Sequence, residues 1–287
     1  MGTLGTVITA IVTPFDDKLN FDEEAFVSLL RHLADHGSDG FVVCGSTGEA
    51  ATLTDEEHMR VVELAVAEKP PGVTIVAGTG SNDTRHAVEL TERATALGVD
   101  GTLSVTPYYV RPNRRGLLAH YREVARATDK PILLYNIPSR TGLDVPNDLI
   151  AEIGQLDHIV GVKQANNDNL APIDGLEVYA GNDDIFARTL DMGGAGGILV
   201  ASHIVGDEMR RLVTEPERRA EIDAGLRDVY AVMGVTTNPI PVKAALNLLG
   251  HRVGGLRLPL VEASDEERDA VRAVLERHGL LRGAPAS

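Results

Sequence analysis

The sequence predicts an α/β fold of the (β/α)8, TIM-barrel class, on three observations. Short apolar runs alternate with amphipathic helical stretches as far as residue 214, there are eight such runs, and the chain has 287 residues. A regular βα rhythm implies parallel strands joined by helical crossovers. A closed barrel of eight such units typically takes about 250 residues.

The eight strand candidates span residues 7–12, 40–44, 74–77, 102–105, 132–135, 159–163, 176–180 and 197–200. Each is short and apolar, as expected of strands covered on both faces. The intervening segments carry apolar residues three and four apart, as in Ala25, Leu29, Leu30 and Leu33, or Val61, Val62, Leu64 and Ala65. Helix starts are marked by Thr54-Asp55-Glu56-Glu57, which has capping-box form, by Asn82-Asp83 and by Pro146-Asn147-Asp148. The Gly193–Gly197 run precedes its strand, so it reads as tight helix-to-strand packing rather than a phosphate loop. Beyond residue 214 the strands stop, and 216–235, 241–249 and 264–278 read as three helices. We expect a barrel over 1–214 and a helical extension over 215–287 packed on it as one unit, with residues 282–287 frayed.

Composition narrows the function. Hydrophobic residues make up 43% and charged residues 24% of the chain, and the mean hydropathy is −0.04, values typical of a soluble globular protein. A formal charge of −15 argues against nucleic acid or an anionic membrane as partner, because both select a basic surface. Cys44 is the only cysteine, which excludes an internal disulfide and a cysteine-rich zinc site. The N-terminal segment lacks the basic and continuously apolar regions of a signal peptide, and a cytoplasmic location is expected. Nine histidines include no H-x-H or H-E-x-x-H pattern, so no metal is expected. His58 and His86 read as surface helix residues.

In a barrel of this class the active site lies at the C-terminal strand ends. Those ends carry Thr13-Pro14, Gly45-Ser46-Thr47-Gly48-Glu49, Gly78-Thr79-Gly80, Thr106-Pro107-Tyr108-Tyr109, Tyr135 through Gly142, Lys163, and Gly181-Asn182-Asp183-Asp184. Of the five lysines only Lys163 closes an apolar, β-branched run; Lys243 sits in a helical pattern. A lysine so placed is partly desolvated, which favours the neutral, nucleophilic amine that attacks carbonyl carbon. The alternative is a side chain that snorkels to water. Ser46 and Thr47 sit among glycines that let backbone amides turn toward an anion, although a plain turn fits the spacing too. Gly78-Thr79-Gly80 lacks dinucleotide-site spacing and reads as structural. Tyr109 and Tyr135 suit proton transfer or packing, and the planar fork of Arg140 suits a carboxylate. Asp16-Asp17 and Asn182-Asp183-Asp184 are taken as solvated loops.

Four of these segments, Gly45-Ser46-Thr47-Gly48-Glu49, Thr106-Pro107-Tyr108-Tyr109-Val110-Arg111-Pro112, Tyr135-Asn136-Ile137-Pro138-Ser139-Arg140-Thr141-Gly142 and Gly161-Val162-Lys163, together with Asn238-Pro239-Ile240-Pro241-Val242-Lys243, resemble the dihydrodipicolinate synthase and N-acetylneuraminate lyase family of Schiff-base aldolases. The likeness covers nearly the whole chain in order, and its tyrosine and arginine motifs are similar to the synthase branch. It implies that Lys163 forms an imine with pyruvate, and that the derived enamine attacks L-aspartate 4-semialdehyde to give 4-hydroxy-tetrahydrodipicolinate. The same scaffold also serves other pyruvate aldolases and 2-keto sugar-acid dehydratases, and a catalytically silent binding barrel is the reading from a different class.

By the same resemblance, Tyr135, Ser46 and Tyr109 form a proton relay, with Tyr109 entering from a neighbouring subunit of a homodimer or homotetramer. Thr47 and the Ser46 region hold the pyruvate carboxylate, Arg140 holds the aldehyde's carboxylate, and the carbonyls of Gly181 and Ile198 line the pocket. No cofactor is implied beyond the lysine–pyruvate imine. Ser46 replaces the usual threonine, and Gln164 replaces a frequent acid beside the imine. Ala50, Asp55 and His86 replace the serine, histidine and glutamate of the lysine-sensitive members, so weak lysine inhibition is expected.

Overall fold

The computed structural model describes residues 2–281; the tail expected to fray, 282–287, lies outside them. Eight parallel strands close a barrel in sequence order: β1 Val7–Ala10, β2 Gly40–Val43, β3 Thr74–Gly78, β4 Gly101–Val105, β5 Ile132–Asn136, β6 Ile159–Gln164, β7 Glu177–Ala180 and β8 Gly196–Leu199. Closure comes from β1 pairing with β8, Ile8 opposite Ile198. All eight expected strands are present, with ends shifted by at most two residues.

Alternation of side chains along each strand builds two cores. Ile8, Val42, Val76, Leu103, Leu133, Tyr179 and Ile198 fill the barrel interior. Residues of opposite parity, such as Val7, Phe41, Ile75, Leu134 and Val162, pack outward against the helices.

The helices are α1 Glu23–Asp35, α2 Asp55–Glu68, α3 Thr84–Ala96, α4 Arg114–Arg126, α5 Pro138–Thr141, α6 Asn147–Ile153, α7 Phe186–Asp191, α8 Gly206–Thr214, α9 Arg219–Gly225, α10 Arg227–Met233, α11 Ile240–Leu248 and α12 Asp265–Arg277. Thr54 caps α2 through a complete capping box with Glu57, and Asp83 caps α3. The expected helix over 216–235 is instead two short helices, α9 and α10, broken between Gly225 and Arg227. Glycine there weakens helix continuity. The rhythm also fails once. The β6–β7 connection carries only a 3-10 turn, Asn167–Asn169, because residues 165–176 offer turn formers and no helical apolar repeat.

His58 does not conform to the surface reading. It lies on the inner face of α2, buried, with Nε2 2.9 Å from the Gly78 carbonyl. The glycine pair 78 and 80 is structural as expected, since a Cβ at Gly78 would come within 2.3 Å of the Cys44 carbonyl oxygen.

After α11 the chain returns across the barrel mouth. Phe15 donates its N–H to the Val253 carbonyl, and Gly254 follows with φ +66, its missing Cβ leaving room for the Phe15 carbonyl oxygen, which a Cβ would approach to 1.9 Å. Backbone in this region favours glycine, and the steric conflict adds to the cost. Gly254→Ala is therefore expected to destabilise the protein by at least about 2 kcal/mol, read as a lowered midpoint in urea unfolding.

Candidate active site

Lys163 stands in β6 directly between Tyr135 of β5 and Tyr179 of β7 in register. Its parity turns it inward, and it is 6% exposed. Its Nζ lies 4.2 Å from the centre of the Tyr135 ring. Desolvation pulls the ammonium from its ordinary 10.5 down to about 7; Asp183 opposes this and Arg140 adds to it. A substantial fraction of the amine is thus neutral near neutral pH.

Above the lysine opens a cavity of about 560 Å³ lined by Ser46, Thr47, Tyr135, Arg140, Lys163 and Gly181 among others. The structure therefore brings six of the eight expected site residues to one cavity. The remaining two are placed elsewhere. Ile198 is fully buried inside the barrel, and the residue that β8's end contributes to the cavity is Val200. Tyr109 is 88% exposed with φ +68, its N–H donated to the Thr141 carbonyl. It makes no part of the lining within its own chain.

The loop after β2 folds back on itself, Glu49 N–H donating to the Ser46 carbonyl and Ala50 N–H to Gly45. The amides of Ser46 and Thr47 are left without a hydrogen-bond acceptor among the described residues, beside the lysine, which is an arrangement suited to a carboxylate. Thr47 is buried and its Oγ1 accepts from Asn238 Nδ2 at 2.9 Å. Burial pushes the Tyr135 phenol up to about 12, with Arg140 drawing it down, so it stays protonated at neutral pH. Arg140, expected in a loop, projects from the short α5 and donates to the Asn238 carbonyl at 3.0 Å.

Three readings change. Asp183 is not a solvated loop residue: it lines the cavity, its Oδ1 accepts the Val200 and Ala201 amides at 2.9 and 3.1 Å, and desolvation raises its carboxyl to about 6. Gln164 does not stand beside the amine. It follows Lys163 on the strand, so it points outward, where its Oε1 accepts from Asn136 and Asn166. Lys243 is not an ordinary helix residue but is buried against Glu49, 2.6 Å away. Burial also lowers its ammonium, to about 8, yet it is ion-paired and absent from the cavity, so Lys163 remains the free amine. No pattern in the sequence says that the chain returns at Asn238 to Thr47.

A second cavity of about 380 Å³ lies across a partition made of Ser46, Tyr135 and Arg140, and is lined by Ala50, Asp55, His58, Ser81, His86 and Tyr108 among others. Asp55 and His86 are partners there, 3.1 Å apart. The acid missing at position 86 is thus present at 55.

Among the described residues no group of histidine, cysteine and carboxylate side chains is arranged to hold a metal, and no helix is long and apolar enough to cross a membrane.

The description "Dihydrodipicolinate synthetase family" matches residues 3–278. The chain is 43% identical to the 4-hydroxy-tetrahydrodipicolinate synthase of Synechococcus sp., covering 96% of this chain and 94% of that one. It is 42% identical to the enzyme of the same name from Heliobacterium modesticaldum, over 96% of each. Among solved structures, the dihydrodipicolinate synthase from Cyanidioschyzon merolae with lysine bound is 37% identical, with a TM-score of 0.92 over 98% of this chain and all of that one. The Aquifex aeolicus dihydrodipicolinate synthase gives 36% and 0.91 over 97% and all. A barrel whose inward lysine, phenol and free amides meet in one cavity, and whose sequence aligns end to end with these proteins, belongs to the dihydrodipicolinate synthetase family.

Proposed function

We propose that the protein condenses pyruvate with L-aspartate 4-semialdehyde to give 4-hydroxy-tetrahydrodipicolinate, through an imine on Lys163. The observation that carries this reading is the desolvated Lys163 amine facing Tyr135 and the free Ser46 and Thr47 amides in one cavity. The amides hold the pyruvate carboxylate, which places the ketone carbon at the lysine. Neutral Nζ attacks that carbon, and Tyr135 gives a proton to the departing hydroxyl as water leaves and the iminium forms. The Tyr135 phenolate left by that transfer takes up a methyl proton to give the enamine, whose carbon attacks the aldehyde, and Tyr135 passes the proton to the alkoxide that forms. Arg140 faces the cavity to take the aldehyde's carboxylate. The substrate amine then displaces Lys163 by attack on the iminium carbon, closing the ring and freeing the enzyme.

Tyr109 completes the relay from a second copy of the chain. Its exposure and left-handed backbone fit a side chain held out toward a partner, and the partition formed by Ser46 and Tyr135 opens on the second cavity, which receives it. The functional unit is accordingly a homodimer or a homotetramer, acting in the cytoplasm without a dissociable cofactor. The barrel over 1–214 and the extension over 215–287 act as one unit, because Asn238 supplies part of the cavity wall.

Borohydride reduction in the presence of pyruvate, with peptide mass mapping, is expected to leave one pyruvate adduct on Lys163 and none on Lys243; no adduct on Lys163 removes this mechanism. With the imine established, turnover of L-aspartate 4-semialdehyde against sugar-acid aldehydes decides the acceptor. Since only the neutral amine reacts, imine formation should rise with pH around a midpoint near about 7 and level off by about pH 8. Arg140→Leu removes a cation that lowers the lysine, so its midpoint should move to higher pH, in stopped-flow measurements of pyruvate binding. L-Lysine should inhibit weakly, because the Asp55 carboxylate is occupied by His86; we expect an inhibition constant above about 1 mM, and a submillimolar value in a steady-state assay contradicts this.

A further inference from the structure

The mechanism leaves unused a pair of charges more deeply buried than the lysine nucleophile. Glu49 and Lys243 meet at 2.6 Å with side chains 0% and 1% exposed. Glu49 ends the loop that presents the Ser46 and Thr47 amides; Lys243 lies on α11 in the C-terminal extension. Both partners are held by further contacts. The second Glu49 oxygen accepts the Arg257 N–H at 3.1 Å. Lys243 donates to the Gly255 carbonyl at 2.7 Å and lies 4.2 Å from the centre of the Phe15 ring, against which Arg257 also packs. Arg257 in turn forks onto Glu57 at 2.6 and 2.7 Å. Beyond β1, Thr13 donates its hydroxyl to the Gly48 carbonyl at 2.7 Å.

Burying two charges is expensive, and an apolar pair of the same volume would serve stability as well or better. What an ion pair held by further hydrogen bonds adds is direction. Here the direction bears on the loop. Glu49 has left-handed backbone, φ +55, and its N–H closes the turn around Ser46 and Thr47. The same stretch of the extension touches the loop again at Asn238, whose Nδ2 donates to Thr47 Oγ1. Two attachments, one at the cavity wall and one behind it, fix both position and tilt of the free amides.

We propose that the Glu49–Lys243 pair is a positioning clasp by which the C-terminal extension orients the carboxylate-binding amides, so that it governs pyruvate affinity rather than carbon–nitrogen bond formation. This rests on the assignment of those amides to the pyruvate carboxylate. Neither side chain lines the cavity with Lys163, so both act through the loop.

The deciding variant is the double replacement Glu49→Gln with Lys243→Met, which removes both charges and leaves neither orphaned. Thermal unfolding and hydrogen exchange of the peptide spanning 45–49 would be measured without substrate, then KM for each substrate and kcat. We expect a folded protein with faster exchange at 45–49, KM for pyruvate raised about tenfold, and kcat and the aldehyde KM within about threefold of the parent. Glu49→Asp, which keeps both charges and shortens the reach by one methylene, should show the same split to a smaller degree. A folded double variant with unchanged pyruvate KM overturns the clasp, as does an equal loss in kcat. Failure of both proteins to fold makes the pair purely structural and also overturns it. Because exchange is read without substrate, faster exchange alongside a parent enzyme that forms no borohydride adduct with pyruvate would locate the error in the functional reading and not in the clasp.

Discussion

Desolvation of one amine is the constraint on which the proposed chemistry depends. An exposed lysine is almost wholly protonated at neutral pH, and a protonated amine attacks nothing. Lys163 escapes this because interior parity sends its side chain among Leu103, Tyr135 and Ile137, and burial then favours the uncharged form. The same burial keeps the neighbouring phenol protonated, so the proposed nucleophile and proton donor are prepared by one cause. Asp183 works against this drift, and its own carboxyl is restrained by two backbone amides. The balance leaves the lysine near neutrality instead of driving it far below.

The barrel was legible because it is written locally. Eight apolar runs at regular spacing, the box at Thr54 and the cap at Asp83 each follow from residues a few positions apart, and Lys163 announced itself by ending such a run. What sequence could not supply is long-range. His58, Asp183, Lys243 and Asn238 owe their environment to segments far away in the chain, and polar residues of these types are ordinarily exposed. Gln164 turns away from the amine for a smaller reason: it is adjacent to Lys163 in sequence, but one step along a strand reverses the face.

The eight proposed site residues divide along the same line. Those attached to strands or to their immediate ends, Lys163, Tyr135, Thr47, Ser46 and Gly181, converge, since a barrel delivers its strand ends to one rim. Arg140 joins them through the short α5. Ile198 stays one step below the rim, fully inside. Tyr109 is held by a left-handed backbone away from the cavity, and its proposed role depends on a surface that a single chain does not contain.

The helix-free crossover between β6 and β7 bears on how such a protein can vary over evolutionary time. Lys163 is fixed by ladders on both flanks, to Tyr135 on one side and Tyr179 on the other, and neither ladder passes through residues 166–176. Chain length in this stretch is therefore uncoupled from the geometry of Lys163. Insertions and deletions there can remodel the outer wall of the barrel, and with it whatever surface that wall presents, while the Lys163 nitrogen stays where it is.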